Sequence, residues 1–188
     1  MHNKIFTEVS RLLIENIMRY EQFADVMDFL GFRGFKRKGE YHYLKENAEL
    51  RGIHRYAINH FNKMIFDKEI PSPRIIPASW EGATRHQVDD SVRKKYVKQF
   101  FYDWKDWEIS SREKYSNWYK QLVNEGHIDA ACKIMCLLKD NEKEIKCLER
   151  HIIEYEAVGW DMSYLMIKQD EIHECYEEKT KHIGIEFC

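Results

Sequence analysis

The sequence is poor in the two residues that interrupt helices. Its 188 residues include only 8 glycines and 3 prolines, below the roughly 7% and 5% that are usual for each. Both residues destabilise helix interiors, glycine through backbone entropy and proline through a lost hydrogen bond. Because the chain has so few of them, we predict an all-α fold built from long helices.

The sequence also lacks a dominant charge and any long apolar run. Lys and Arg number 30 against 32 Asp and Glu, a net charge of −2, which excludes the broad positive field by which proteins bind nucleic acids. No stretch approaches the roughly 18 apolar residues of a membrane span, and the first residues lack the apolar centre of a signal peptide. Five cysteines without a CxxC motif fit reduced thiols. We therefore expect a cytoplasmic protein that contacts neither membrane nor nucleic acid.

Apolar residues recur at steps of three and four along most of the chain, which predicts amphipathic helices. The predicted ranges are 5–30, 39–66, 88–123, 128–156 and 162–181. Short turns join the first two helices and the third and fourth, whereas a connection of roughly twenty residues at about 67–87 holds all three prolines. Such a connection can run the length of a bundle. We predict that residues 1–188 form a single domain, a four-helix bundle with one long crossover and a short fifth helix, the connectivity of ferritin-like folds.

Several polar residues fall on the apolar faces of these helices, where an unpaired charge is costly. We placed each residue at 100° steps around its helix to find them. Carboxylates and imidazoles that converge from several helices are the way bundles build metal sites, and such ligands suit iron, manganese or zinc. We predict Glu108, Glu142 and His54 as metal ligands, with Glu46 and Glu149 as residues that bridge.

Other polar residues take supporting or outer positions. Asn16 and Asn141 fall on the inward faces of the first and fourth helices, where an amide can orient a ligand or a water molecule. Glu49 and Arg51 lie toward the flank of the second helix. This assignment makes the asparagines part of the predicted site and leaves Glu49 outside it.

Each predicted ligand also has a plainer interpretation. Glu108 lies on an aromatic-rich helix and can pair with a lysine or arginine of a neighbouring helix. A single histidine such as His54 is often a hydrogen-bonded core residue. Glu142 belongs to a run of charged residues, Glu149 follows it, and such runs are typical of a solvated face. The sequence leaves these alternatives open.

Particular segments resemble the ferritin family. Residues 124–127 and 137–146 are similar to the family's turn into the fourth helix and the ligand region beyond it, with Asp140-Asn141 in place of a Glu-Gln pair. Glu108 stands where the family has a third-helix ligand, and Gly159 leads into a short last helix. The resemblance covers roughly residues 5–180. It implies a ferritin-like bundle that binds iron and self-associates, with an oxidase or storage role.

The ligand set departs from that of the family. The family's second helix carries Glu-x-x-His, and this sequence contains no such motif. If His54 takes the histidine position, Arg51 stands at the glutamate; if Glu49 takes the glutamate position, a glycine stands at the histidine. The first-helix glutamate matches either Asn16 or Glu15. A complete ferroxidase centre is therefore not expected.

Two functions follow from this pattern. The first is a ferritin-like protein that binds a metal ion, with iron as the first choice. The second is a metal-free helical protein that binds or inhibits a partner through its third helix. That helix has more aromatic residues than one buried stripe needs, with Phe101, Tyr102 and Tyr119 as the surplus, and such belts mark contacts with another helix, a second subunit or a protein partner. The sequence does not decide whether the protein is an enzyme.

Overall fold

The computed structural model describes residues 2–65, 71, 73–76, 84, 88–181 and 183. It has five helices in the predicted order: α1 (His2–Phe29), α2 (Arg33–Phe61), α3 (Asp90–Asn124), α4 (Ile128–Ala157) and α5 (Met162–Lys181). The predicted all-α fold is confirmed. The largest difference is in α2, which begins at Arg33 and ends at Phe61. None of the helices in the described ranges is apolar over a length that would cross a membrane.

Two glycines end helices and turn the chain into hairpins. Gly31 follows α1 with φ +87° and Gly126 follows α3 with φ +76°, the left-handed conformation that glycine adopts most readily. In the first turn the amide of Phe32 donates to the carbonyl of Met27 at 2.8 Å. In the second turn the amide of His127 donates to the carbonyl of Leu122 at 2.9 Å. Both bonds satisfy carbonyls at the ends of the helices. The two turns bring α1 against α2 and α3 against α4.

The buried residues form two clusters, one toward each end of the bundle. The aromatic core joins the second half of α1, the first halves of α2 and α3, the second half of α4, and α5. The aliphatic core joins the opposite halves of α1 to α4. From α1 onward the chain therefore runs up, down, down and up between the two cores. Helices α2 and α3 therefore run in the same direction, which requires a long crossover between them, as in ferritin-like bundles.

Described parts of the crossover connect the two cores. Ile65 belongs to the aliphatic core, whereas Ile75 packs against the aromatic core. Gln22 of α1 holds the chain between them, since its amide donates to the carbonyl of Pro73 at 2.6 Å and its carbonyl accepts from the amide of Ile75 at 2.9 Å. Most of the predicted crossover, 67–87, lies outside the described residues.

Helix α5 packs against α2 at a close approach of the two backbones. A Cβ atom on Gly34 would lie 1.6 Å from the carbonyl oxygen of Gln169, so only glycine fits there. The side chain of Gln169 accepts from the Gly34 amide at 2.8 Å and thereby caps the first turn of α2. Asp161 caps α5, since its carboxylate accepts from the amide of Tyr164 at 2.9 Å.

Candidate functional site

A layer of polar side chains separates the two cores near the middle of the bundle. On α1 this layer is Asn16, which lies between Leu13 of the aliphatic core and Tyr20 of the aromatic core. The other three bundle helices contribute residues at the same level, each again flanked by members of the two cores. We call the following residues the polar layer: Asn16, Lys45, Glu46, Glu49, Glu108, Ser111, Asp140, Asn141 and Glu144.

Glu108 is the most completely bonded residue of the polar layer, and only 2% of its surface is exposed. Its Oε1 accepts from the hydroxyl of Tyr20. The same oxygen accepts from the indole N–H groups of Trp104 and Trp107, both at 3.2 Å. Its Oε2 accepts from the amide of Asn141 at 2.5 Å. Burial raises the pKa of Glu108, and the hydrogen bond from Tyr20 opposes that change. The carboxyl group is therefore fixed by donors from α1, α3 and α4.

Glu46 and Glu49 lie on one face of α2 because they are three residues apart. The side chain of Glu49 is 9% exposed, so its predicted position on the flank is wrong. Burial raises the pKa of Glu49 to about 7. Burial, followed by the charges of Glu49 and Glu108, raises the pKa of Glu46 well above its ordinary value. The raised pKa values favour the protonated forms of both carboxyl groups in the absence of a cation.

Lys45 supplies positive charge to the polar layer. Its Nζ lies 3.9 Å from Oε1 of Glu49. Burial alone lowers the pKa of Lys45, but the charges of Glu49, Glu144 and Asp140 outweigh burial and hold that pKa above its ordinary value. Lys45 is consequently a counter-ion for a group of acids that outnumber it.

Helix α4 closes the site with Asp140, Asn141 and Glu144. Together with the acids of α2 and α3 they line a cavity of about 10 Å³, which is the room that one water molecule needs. Nε2 of His42 lies 3.2 Å from Oε1 of Glu144. Burial, and then the charges of Lys45 and nearby lysines, lower the pKa of His42 well below its ordinary value. The imidazole is therefore neutral and adds no charge.

The cavity has more oxygen acceptors than donors. Oε2 of Glu46, Oε2 of Glu144 and Oδ1 of Asn141 are buried, and no hydrogen-bond partner is found for them. Each belongs to a residue that lines the cavity, and oxygen atoms of this kind are the ligands that hard cations prefer. Within the described ranges, no three acidic, cysteine or histidine side chains already stand at metal-binding geometry.

The structure brings together two of the five predicted metal ligands, Glu46 and Glu108. Glu142 and Glu149 are exposed on α4. They follow the buried residues Asn141 and Leu148 by one position, which turns a side chain by about 100° around a helix. The predicted inward orientation of both glutamates is therefore wrong.

His54 also lies away from the polar layer. It is half-buried, and its Nε2 lies 2.8 Å from the hydroxyl of Ser10 on α1. Burial lowers its pKa, as expected for a neutral ring in a hydrogen bond. The structure thus agrees with the alternative of a hydrogen-bonded histidine. Arg51, which one alignment placed at a ligand position, is exposed.

Lys45 and Glu144 were not predicted as site residues, and Glu49 and Asp140 were considered only through the ferritin resemblance. Spacing contains a signal for two of them. Glu46-x-x-Glu49 on α2 and Asn141-x-x-Glu144 on α4 each place a second oxygen ligand one turn from the first. The signal was obscured on α2 because its buried stripe begins earlier, with Phe35, and then continues through the polar residues Lys38 and His42.

The surplus aromatic residues of α3 are used inside the chain. Phe101 is fully buried in the aromatic core. Tyr102 is half-buried, its hydroxyl donates to Glu156 at 2.8 Å, and its ring lies 6.4 Å from that of Trp160. Tyr119 is half-buried against the aliphatic core. These three residues therefore do not form the exposed aromatic surface that the partner-binding hypothesis requires.

Four helices with one long crossover, a fifth helix and an acidic layer at mid-length define a ferritin-like fold. Solved structures agree. A humanized archaeal ferritin matches with a TM-score of 0.70 and 12% identity over 91% of this chain and 94% of that one. An Archaeoglobus fulgidus ferritin engineered into a closed form matches with a TM-score of 0.70 and 10% identity over 91% and 93%. The predicted resemblance is thus confirmed at the level of the fold.

Sequence comparisons give no closer relationship. No protein-family model matches the chain, and no curated protein sequence matches it. At 10–12% identity the two ferritins establish a common fold, and function has to be argued from the site itself.

Proposed function

We propose that this protein is a ferritin-like cation-binding protein, with ferrous iron as the first candidate and manganese as the second. Glu46, Glu49 and Glu144 would hold the ion, and the firmly bonded Glu108 would add negative charge beside it. The observation that supports this proposal is the excess of buried, unpartnered oxygen atoms around one cavity. An excess of acceptors is relieved by a cation or by protons.

The donor set determines the kind of ion. Carboxylate and amide oxygens suit hard divalent cations, whereas soft copper(I) prefers sulfur. Bound iron would bring redox chemistry to the site. Among the described residues that line the cavity there is no imidazole, and imidazole is typical of iron sites that activate oxygen. The proposal is therefore one of binding rather than oxidation.

Lys45 controls access to the proposed site. Its ammonium group already neutralises part of the acidic charge, and its side chain is 14% exposed, so it has a route toward solvent. A divalent cation would displace Lys45 and also the protons on Glu46 and Glu49, because their pKa values are raised. Cation binding should consequently release protons near neutral pH.

Calorimetric titration of the full chain, stripped of metal, tests the proposal. We expect one Mn²⁺, or one Fe²⁺ without oxygen, to bind per chain with release of protons, measured in two buffers that differ in ionisation enthalpy. Lys45→Met should bind roughly tenfold more tightly or better, and the double variant Glu46→Gln/Glu49→Gln should bind at least tenfold more weakly. Glu142→Gln is the matched control, because Glu142 is acidic but exposed.

Two outcomes would contradict the proposal. One is the absence of binding in both the natural chain and Lys45→Met. The other is binding that Glu142→Gln weakens as much as the double variant does. Either result would favour a metal-free bundle whose polar layer is neutralised by Lys45 and by protons.

A further inference from the structure

Two basic side chains converge on the sulfur of Cys147, away from the cavity of the polar layer. Nζ of Lys38 lies 3.9 Å from this sulfur and Nη2 of Arg150 lies 4.0 Å from it. Cysteine reacts with oxidants as its thiolate. Cys147 is half-buried, so small reactants can reach it.

Lys38 is an unusual neighbour because it is completely buried. Its Nζ lies 4.7 Å from the ring centre of Trp104 and 5.8 Å from those of Phe101 and Tyr176. In these aromatic surroundings the Cys147 sulfur is its hydrogen-bond acceptor. Burial lowers the pKa of Lys38, which makes the neutral amine, a nucleophile, easier to form.

We propose that Lys38 and Cys147 form a covalent link when the protein meets hydrogen peroxide, a sulfenamide that joins α2 to α4. In the first step the thiolate attacks peroxide, an S–O bond forms and the O–O bond breaks. The sulfur loses two electrons to the peroxide, and the departing hydroxide takes up the proton that the thiol gave up and leaves as water. In the second step the amine of Lys38 attacks the sulfenic sulfur. An N–S bond forms, the S–O bond breaks, and hydroxide leaves as water with a proton from the nitrogen.

Geometry favours this product over further oxidation. Sulfenic acids are known to condense with a thiol or a nitrogen nucleophile that lies close by. Here a buried amine is held against the sulfur by the packing of α2 on its neighbours, so capture needs no large movement. Cys132, Cys136 and Cys175 are exposed and serve as internal comparisons for unassisted oxidation.

Peptide mapping by mass spectrometry tests the link directly. The full-length protein is treated with a modest excess of hydrogen peroxide, its remaining thiols are blocked, and it is digested. We expect a peptide pair joined through Lys38 and Cys147 that has lost two hydrogen atoms relative to the sum of its parts and that separates on reduction with dithiothreitol. Cys147→Ser should abolish the link, whereas the matched control Cys136→Ser should leave it unchanged.

A second variant separates the two steps. In Lys38→Met the amine is gone, so the sulfenic acid of Cys147 should persist and react with a dimedone probe several-fold more than in the natural chain. The proposal is overturned if Cys147 is oxidised no faster than the exposed cysteines in the natural chain, or if Cys147 pairs with Cys175. A Lys38–Cys147 product that retains an oxygen atom would also overturn the sulfenamide.

Discussion

Two lysines on the inner face of α2, about two helical turns apart, have opposite surroundings. Lys38 lies among aromatic rings with a cysteine as its hydrogen-bond acceptor, and Lys45 lies among carboxyl groups. Burial lowers the pKa of Lys38, whereas the acids around Lys45 outweigh burial and raise its pKa. The comparison teaches that burial alone does not determine the state of an inward-facing charge. What decides is whether opposite charge lies within reach.

This difference explains why we assign the two lysines different roles. Lys45 is a replaceable counter-ion, because a divalent cation can neutralise the same acids. Among the residues that the structure describes, no acid is in hydrogen-bond contact with Lys38, so this lysine carries a desolvation cost without an ion pair to offset it. Its lowered pKa makes the nucleophilic amine easier to form. The following predictions test the contrast.

The largest effect is expected from Glu108→Ala, which removes the firmly hydrogen-bonded acid of the polar layer that also contains Lys45. The hydroxyl of Tyr20, two indole N–H groups and the amide of Asn141 would lose their common acceptor. Breaking such a buried network costs about 3–5 kcal/mol, measured as the free energy of unfolding in urea. Glu108→Gln, which keeps an oxygen acceptor, should lose less. Equal stability of Glu108→Ala and the natural chain would show that the network contributes nothing.

A direct comparison of the lysines comes next. Without metal at pH 7, Lys45→Met should lower the free energy of unfolding by about 2–3 kcal/mol, because it leaves buried acids without a counter-ion. Lys38→Met should be neutral or stabilising by about 1 kcal/mol, because methionine fills the aromatic surroundings without a charge. Urea unfolding of both variants measures this. If Lys38→Met were less stable than Lys45→Met, the roles that we assign to the surroundings of the two lysines would be wrong.

The acids around Lys45 should also make stability depend on pH. The pKa of Glu49 is raised to about 7 in the folded chain, against about 4.3 when unfolded. Between these values the folded state binds more protons than the unfolded state, so stability falls as pH rises. The loss attributable to Glu49 between pH 4.5 and 7.5 should be about 3 kcal/mol, and Glu49→Gln should remove it. Lys38 acts with the opposite sign: its folded pKa is lowered, so its contribution to stability rises with pH between that pKa and the pKa of free lysine.

Thermal unfolding of the metal-free natural chain and of Glu49→Gln, in steps from pH 4.5 to 7.5, measures that difference. Carboxylates far from Glu49 act equally in both proteins, whereas the pKa of Glu46 also responds to the charge of Glu49. The difference between the two curves therefore reports Glu49 together with its effect on Glu46. A difference that does not change with pH would contradict the raised pKa, and Mn²⁺ added at the upper end should restore stability if the proposed function is correct.

Much of the fold could be predicted because it depends on features that are local in the sequence. Helix periodicity, the turn at Gly126 and the cap at Asp161 are each determined by a few neighbouring residues. The start of α2 could not be predicted in this way. Its first turn is capped by the side chain of Gln169, a contact with α5 that no local pattern reveals.

The site was harder to predict because a small error in helix phase moves a side chain by a full face. On α2 the buried stripe passes through Lys38 and His42, residues that hydropathy assigns to the surface. The predicted phase therefore favoured His54 over Glu49. On α3 the stripe is marked by Trp104, Trp107 and Tyr115, and here Glu108 was placed correctly in the interior.

The smallest effect is expected from two exposed acids that lie outside the polar layer. Glu142→Gln and Glu149→Gln remove acids that lie one residue beyond buried positions of α4. Both side chains are solvated, and surface substitutions of this kind change stability by less than about 0.5 kcal/mol. We expect unchanged urea unfolding and unchanged cation binding, because an acid in water neither needs Lys45 nor competes for it. A loss of either property comparable to that of Glu49→Gln would mean that the charge of the whole α4 face, rather than the enclosed polar layer, determines the state of Lys45.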